Sequence, residues 1–231
     1  APGGGMFGQG GPPPPKGDIR QLWDLLELEV PADPQGLNVQ PKLVWQTYNP
    51  YPKLQLQGIP DTWVFVPGER LNQKHAITNG LNQLFFPIPG MIMAREGAKL
   101  DFEPLASTTD YSGWISFTDY TQNQGNLAAL QEKQGRERGS QVVAAHITGS
   151  LEEEDEEDDE ESGEEQADEQ DKQQKSPINV IYVADIDMMH GPFFTLRARP
   201  DDFVDIKWRF ENPTFLLNIV DELTSEDRYI T

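Results

Sequence analysis

Residues 151 to 175 (LEEEDEEDDEESGEEQADEQDKQQK) decide what the rest of this chain can fold into. They hold fifteen acidic residues and two lysines, and so contribute −13 of the formal net charge of −21. A segment so poor in apolar side chains and so dense in like charge cannot bury enough surface to offset its ordering entropy. It reads as a disordered acidic loop. The core must then come from residues 18–150 and 176–231 together, a single domain that the loop leaves and rejoins. QVVAAHITG (141–149) and INVIYVAD (178–185) flank the loop, and are expected to be neighbouring strands joined by a long hairpin excursion. Outside the loop the charge is about −8, ordinary for a soluble domain.

Residues 1–17 (APGGGMFGQGGPPPPKG) form a second low-complexity piece. Gly3, Gly5 and Gly8 satisfy G-x-G-x-x-G, but that fingerprint cradles phosphate only between a strand and a helix, and four prolines follow here. A flexible linker running into a polyproline spacer accounts for it. The chain starts at Ala1 inside this tract, which suggests a piece of a longer protein whose membrane anchors lie beyond the given sequence. Within the chain no apolar run approaches the roughly 20 residues that a bilayer requires. Cysteine is absent, which removes disulfides, thiolate metal sites and a cysteine nucleophile, and leaves the redox compartment open. Clustered Lys and Arg are also absent, so nucleic acid is not an expected partner.

Between these tracts helical and β-rich patterns alternate. Asp18 offers an N-cap, with Gln21 as capping-box partner, and Ile19, Leu22, Leu25 and Leu26 recur at helical spacing, predicting a helix over 19–28. LVWQTY (43–48), TWVFVP (62–67), QLFFPI (83–88) and KLDFEPL (99–105) read as strands, with turn signals at Asn79-Gly80 and PIPG (87–90). In INVIYVAD, residues Ile178, Val180, Ile181, Val183 and Ala184 are apolar on both faces, the pattern of a central strand in a covered sheet. Near the C-terminus, Asn212 is placed to cap and Pro213 to open a helix whose Phe215, Leu216, Ile219, Val220 and Leu223 share one face. The expectation is one α/β domain.

LVWQTYNPYPKL (43–54), HAITNGLNQLFFPIPG (75–90), VVAAHITG (142–149) and INVIYVADIDMM with its closing helix (178–224), in this order, resemble the soluble extracytoplasmic region of gliding-motility-type ABC transporter auxiliary proteins. The strand, Asp-x-Asp and Asn-Pro-Thr-Phe helix are the most specific part. The resemblance implies an amidotransferase-like or flavodoxin-like fold with a central, mostly parallel sheet covered by helices. It also implies a membrane-anchored ectodomain on the periplasmic face of the cytoplasmic membrane. Its partners would be a permease and an ATPase, with a small molecule or polymer as a possible ligand.

VADIDMMHGPFF (183–194) looks most like chemistry. If extension continued past the strand, Asp185 and Asp187 would face one side at its C-terminal end, where ligands of open α/β sheets bind. The pair could then bind a ligand, with His190 adding a little, or serve a carboxylate- or metal-dependent hydrolase. The plainer alternative has both aspartates capping turn amides. NPYP (49–52) is a second candidate surface, with Asn49, Tyr48 and Tyr51 presented at a sheet edge by two prolines. Trp45 and Trp63 sit in apolar runs that suit a core better than a ligand cleft. His75, His146 and His190 lie in separate elements without zinc spacing, and no G-x-S-x-G elbow or Walker A sequence occurs. No metal or cofactor is therefore expected. Because the chemistry of the related fold needs a thiolate, a non-catalytic ligand- or partner-binding domain is favoured over an enzyme.

Overall fold

The structure, a computed structural model, describes residues 17–35, 38–134, 139–151, 176–198 and 206–224. The acidic segment 152–175 and the Gly/Pro tract 1–16 lie outside those residues. In chain order the elements begin with helix α1 (Ile19–Leu25) and strands β1 (Leu28–Glu29), β2 (Ala32–Gln35), β3 (Asn38–Pro41) and β4 (Leu43–Gln46). Helix α2 (Pro52–Gln57) precedes strands β5 (Trp63–Pro67), β6 (Gln83–Pro87), β7 (Met93–Ala94), β8 (Asp101–Ser107) and β9 (Ser112–Ile115). Helices α3 (Phe117–Gln122) and α4 (Leu127–Lys133) lead to the long strands β10 (Val142–Leu151) and β11 (Ser176–Val183). A 3-10 turn (Ile186–Met189) and helices α5 (Gly191–Ala198) and α6 (Asn212–Thr224) close the described chain.

β10 and β11 pair antiparallel from Ala144↔Val183 to Leu151↔Ser176, so the chain leaves and re-enters at one end of a hairpin, as the flanking strand patterns imply. The two strands form a sheet of order β11-β10-β8, and smaller two-stranded sheets join β4 to β9, β5 to β6, β1 to β7 and β2 to β3. The mixture of helices and strands agrees with expectation, but the central parallel sheet does not: every pairing among the described residues is antiparallel. A parallel neighbour needs a long crossover, usually a full helix. Helices α1 to α4 have only six or seven residues each.

β11 is also corrected from a central to an edge strand. Its apolar character on both faces has a different cause, because each face is covered by a separate core. Ile181 and Val183 pack with Val143, Met188, Phe215 and Ile219, while Ile178, Val180 and Tyr182 pack with Leu26, Leu28, Leu100 and Trp23. The Trp23 Nε1–H donates to Tyr182 Oη at 2.9 Å. The strand buried on both sides is β10, where Val143, Ala144, Ala145 and Ile147 are at most 1% exposed.

Helix α1 is N-capped by Asp18, as its pattern implies, but it stops at Leu25 instead of reaching 28, where the chain enters β1; the Asp18 carboxylate accepts from Arg20 N–H, and Ile19, Leu22 and Leu25 stay exposed. In α6 the buried face is rotated from the expected one. Phe215 is fully buried and Ile219 half-buried against the sheet, whereas Val220 and Leu223 are exposed.

Candidate functional site

Asp185 lies two residues past the end of β11 and caps the 3-10 turn that follows. Its backbone is still extended, and its Oδ1 accepts from the Asp187 N–H at 2.9 Å. That is the turn-capping geometry. It places Asp185 inward, at 6% exposure, and Asp187 outward, because the chain coils where continued extension would have put both on one side. The expected Asp185–Asp187 pair therefore does not form one face.

The second oxygen of Asp185, Oδ2, is buried with no hydrogen-bond partner, alone among the ionisable groups of the described residues. Burial pushes the carboxyl up to about 8; the Asp187 N–H hydrogen bond and the nearby Met188 N–H oppose the rise, and the Asp187 charge adds to it. A carboxyl so placed is mostly protonated at neutral pH and is then able to donate a hydrogen bond.

Asp185 forms part of the wall of a cavity of about 320 Å³ between β11, the 3-10 turn and α6. Ile181, Val183, Met188, Met189, Leu216 and Ile219 make up most of the remaining lining. Ile186, 77% exposed, and Met189, 46% exposed, stand at its rim. Two larger clefts exist, one beside α1 around Trp23 and Arg95 and one between Pro60 and α4. Neither contains an acid or amide that is both buried and unpartnered.

Asn212 fixes the pocket. Sequence reasoning assigned it to helix capping, but it is fully buried and its side chain bridges three elements. Its Oδ1 accepts from Phe85 N–H at 2.9 Å, and its Nδ2 donates to the carbonyls of Phe85 (2.7 Å) and Met188 (3.1 Å). One amide thus holds β6, the 3-10 turn and the start of α6 together. Asn and the following Pro carry the same sequence signal whether the amide caps the helix or ties it down, so only the fold distinguishes them.

The other expected site residues are placed elsewhere. Tyr51 is core: 6% exposed, it donates to Gln83 Oε1 at 2.6 Å, accepts from Arg209 N–H at 2.8 Å, and stacks edge-on against Phe65. Burial raises the pKa of its phenol, as it does that of half-buried Tyr48. Asn49 folds back so that its Oδ1 accepts from Tyr51 N–H at 2.9 Å. NPYP is therefore a plug between β4 and β5 more than a presented surface. His190 is exposed, its ring edge-on to Phe193 at 5.8 Å between centroids. Trp45 is buried and Trp63 half-buried within the cores, as their apolar runs suggest.

The structure does bring together two histidines that the sequence separates. His75 Nε2 lies 2.8 Å from His146 Nδ1. Ile77 N–H donates to His75 Nδ1, so His75 carries its proton on Nε2, His146 accepts on Nδ1, and His146 Nε2–H donates to Asn179 Oδ1 at 2.7 Å. The facing nitrogens are consumed by each other. Among the described residues no group of three or more His, Asp or Glu side chains is placed to hold a metal ion.

No curated protein and no solved structure matches the chain. A family model described as an ABC-type uncharacterized transport system, for ABC transporter auxiliary proteins, matches residues 7–219. The match spans β1 to β11, the 3-10 turn and the part of α6 that carries Leu216 and Ile219, and with it the whole pocket. The chain belongs to this ABC transporter auxiliary family.

Proposed function

We propose that this auxiliary component of an ABC transport system is a non-catalytic binding domain, and that the cavity between β11, the 3-10 turn and α6 holds the ligand. The observation that carries this reading is the combination of an apolar cavity with one buried acid in its wall, whose second oxygen has no partner, a make-up common to small-molecule sites. Permease and ATPase subunits are the partners that family membership suggests. No helix among the described residues is long and apolar enough to cross a membrane. In this reading an extracytoplasmic domain reaches the membrane through segments outside the given sequence.

A hydrolase reading draws on the raised pKa of Asp185, which suits a general acid. Acid and base work needs a second tuned group within reach, and Asp187 faces solvent. Binding is the simpler use of the geometry. Native mass spectrometry of the protein isolated from its own cells should show a bound molecule. That added mass should disappear in Leu216→Trp, which fills the cavity. An unliganded wild type that still assembles with the permease would replace ligand binding by partner docking as the role.

A further inference from the structure

We propose that the cavity takes an aliphatic ligand headed by a neutral hydrogen-bond acceptor, an amide or ester carbonyl, which receives a hydrogen bond from Asp185. The inference rests on reading the cavity as a ligand site, and goes on to name the ligand's chemistry. The lining side chains other than Asp185 are aliphatic or thioether: Ile181, Val183, Met188, Met189, Leu216 and Ile219, with Ile186 at the rim. With no aromatic side chain among them there is no stacking or cation–π platform, and with no Lys or Arg there is no countercharge for an anionic head. The volume of about 320 Å³ lies at the small end for ligand sites and suits one slender chain.

Recognition then falls to Asp185. Its Oδ1 is occupied by the Asp187 N–H, while Oδ2 has no partner and lies covered within the cavity wall, where a ligand head meets it only as the side chains over it give way. In the neutral acid that oxygen is a donor without an acceptor, an arrangement that a ligand carbonyl completes without moving a proton. An ammonium head would first require the buried acid to ionise. A carboxylate head would set a second acid against the first.

The test uses the protein labelled with ¹³C at the methionine methyls, because Met188 and Met189 both line the cavity. Octanamide, octylamine and octanoate are titrated separately between pH 6 and pH 9.5. Octanamide should shift the Met188 and Met189 signals, with affinity constant below about pH 7 and falling about tenfold per pH unit above the Asp185 pKa of about 8. Octylamine and octanoate should bind at least about tenfold more weakly at pH 7, a difference worth about 1.4 kcal/mol. Asp185→Asn keeps an oxygen for the Asp187 N–H and supplies an N–H donor, so it should bind octanamide with no pH dependence. Asp185→Leu should lose binding; if it does not fold, the Asn variant and the wild-type pH profile decide. Tighter octylamine binding with rising pH, equal affinity for octanoate, or indifference to Asp185 would overturn the proposal. Protein that carries a native ligand yet ignores octanamide would overturn it too, while leaving the cavity as a binding site. Failure of both observations would remove both claims.

Discussion

Asp185 shows how one side chain can be visible in a sequence while its role is not. The end of an apolar run and the two spaced aspartates single it out, but only the coil after Ala184 separates a buried Asp185 from an exposed Asp187. The linkage gives a sign. A carboxyl held at about 8 in the folded protein, against an ordinary value of 3.8, favours folding fully below about pH 4 and loses that contribution as pH rises to 8. Asp185→Asn preserves the cap and removes the titration. Its stability advantage over wild type should therefore grow by about 2 to 4 kcal/mol between pH 5 and pH 8 and level off above pH 9. Urea titrations of both proteins across that range check it; a gap that stays constant or narrows would show that Asp185 is not held neutral. Tyr51 is the opposite case. Two prolines imply display, but an aromatic ring flanked by Phe65 and Trp208 gains more from burial, and its hydroxyl finds Gln83 and Arg209 there.

For the elements, hydrophobic spacing identifies α6 but leaves its rotation open, because five apolar positions span a face wider than the sheet beneath it. Packing selects Phe215 and Ile219, and leaves Val220 and Leu223 outside. Phe215→Ala should cost about 3 to 5 kcal/mol, and Val220→Ala less than about 0.5 kcal/mol. Equal losses in chemical denaturation would contradict this orientation. The N-terminal anchor of the same helix offers a second check. Asn212→Ala strands the Phe85 N–H and two carbonyls in the core, and should cost about 2 to 4 kcal/mol, more than the ~1 kcal/mol loss of a surface cap. A loss no larger than that of a cap would show that the amide does not hold the 3-10 turn. β11 repeats the ambiguity: two apolar faces are legible, but a central strand and an edge strand between two cores read alike.

On the scale of the whole molecule, the hairpin around the acidic segment was legible because a run that cannot enter the core is flanked on each side by a β-rich apolar run. Strand direction was not legible, since short apolar runs carry no sign of parallel or antiparallel pairing. The end pair Leu151↔Ser176 closes the β10–β11 ladder beside the segment's two junctions. Replacing residues 152–175 by a four-residue turn should leave the domain folded with a melting temperature within a few degrees of wild type, because loop closure costs only about 0.6 kcal/mol per doubling of length. A larger fall would make the acidic segment part of the fold. The proposed role depends on a ligand occupying the cavity, and methionine methyls report on that directly. Spectra of protein isolated from its own cells should be compared with those of the same protein stripped of small molecules by dialysis. Met188 and Met189 should move on stripping, while Met91 and Met93, which do not line the cavity, stay in place. If all four signals were unchanged, or Met91 and Met93 moved alone, the cavity would not be a ligand site.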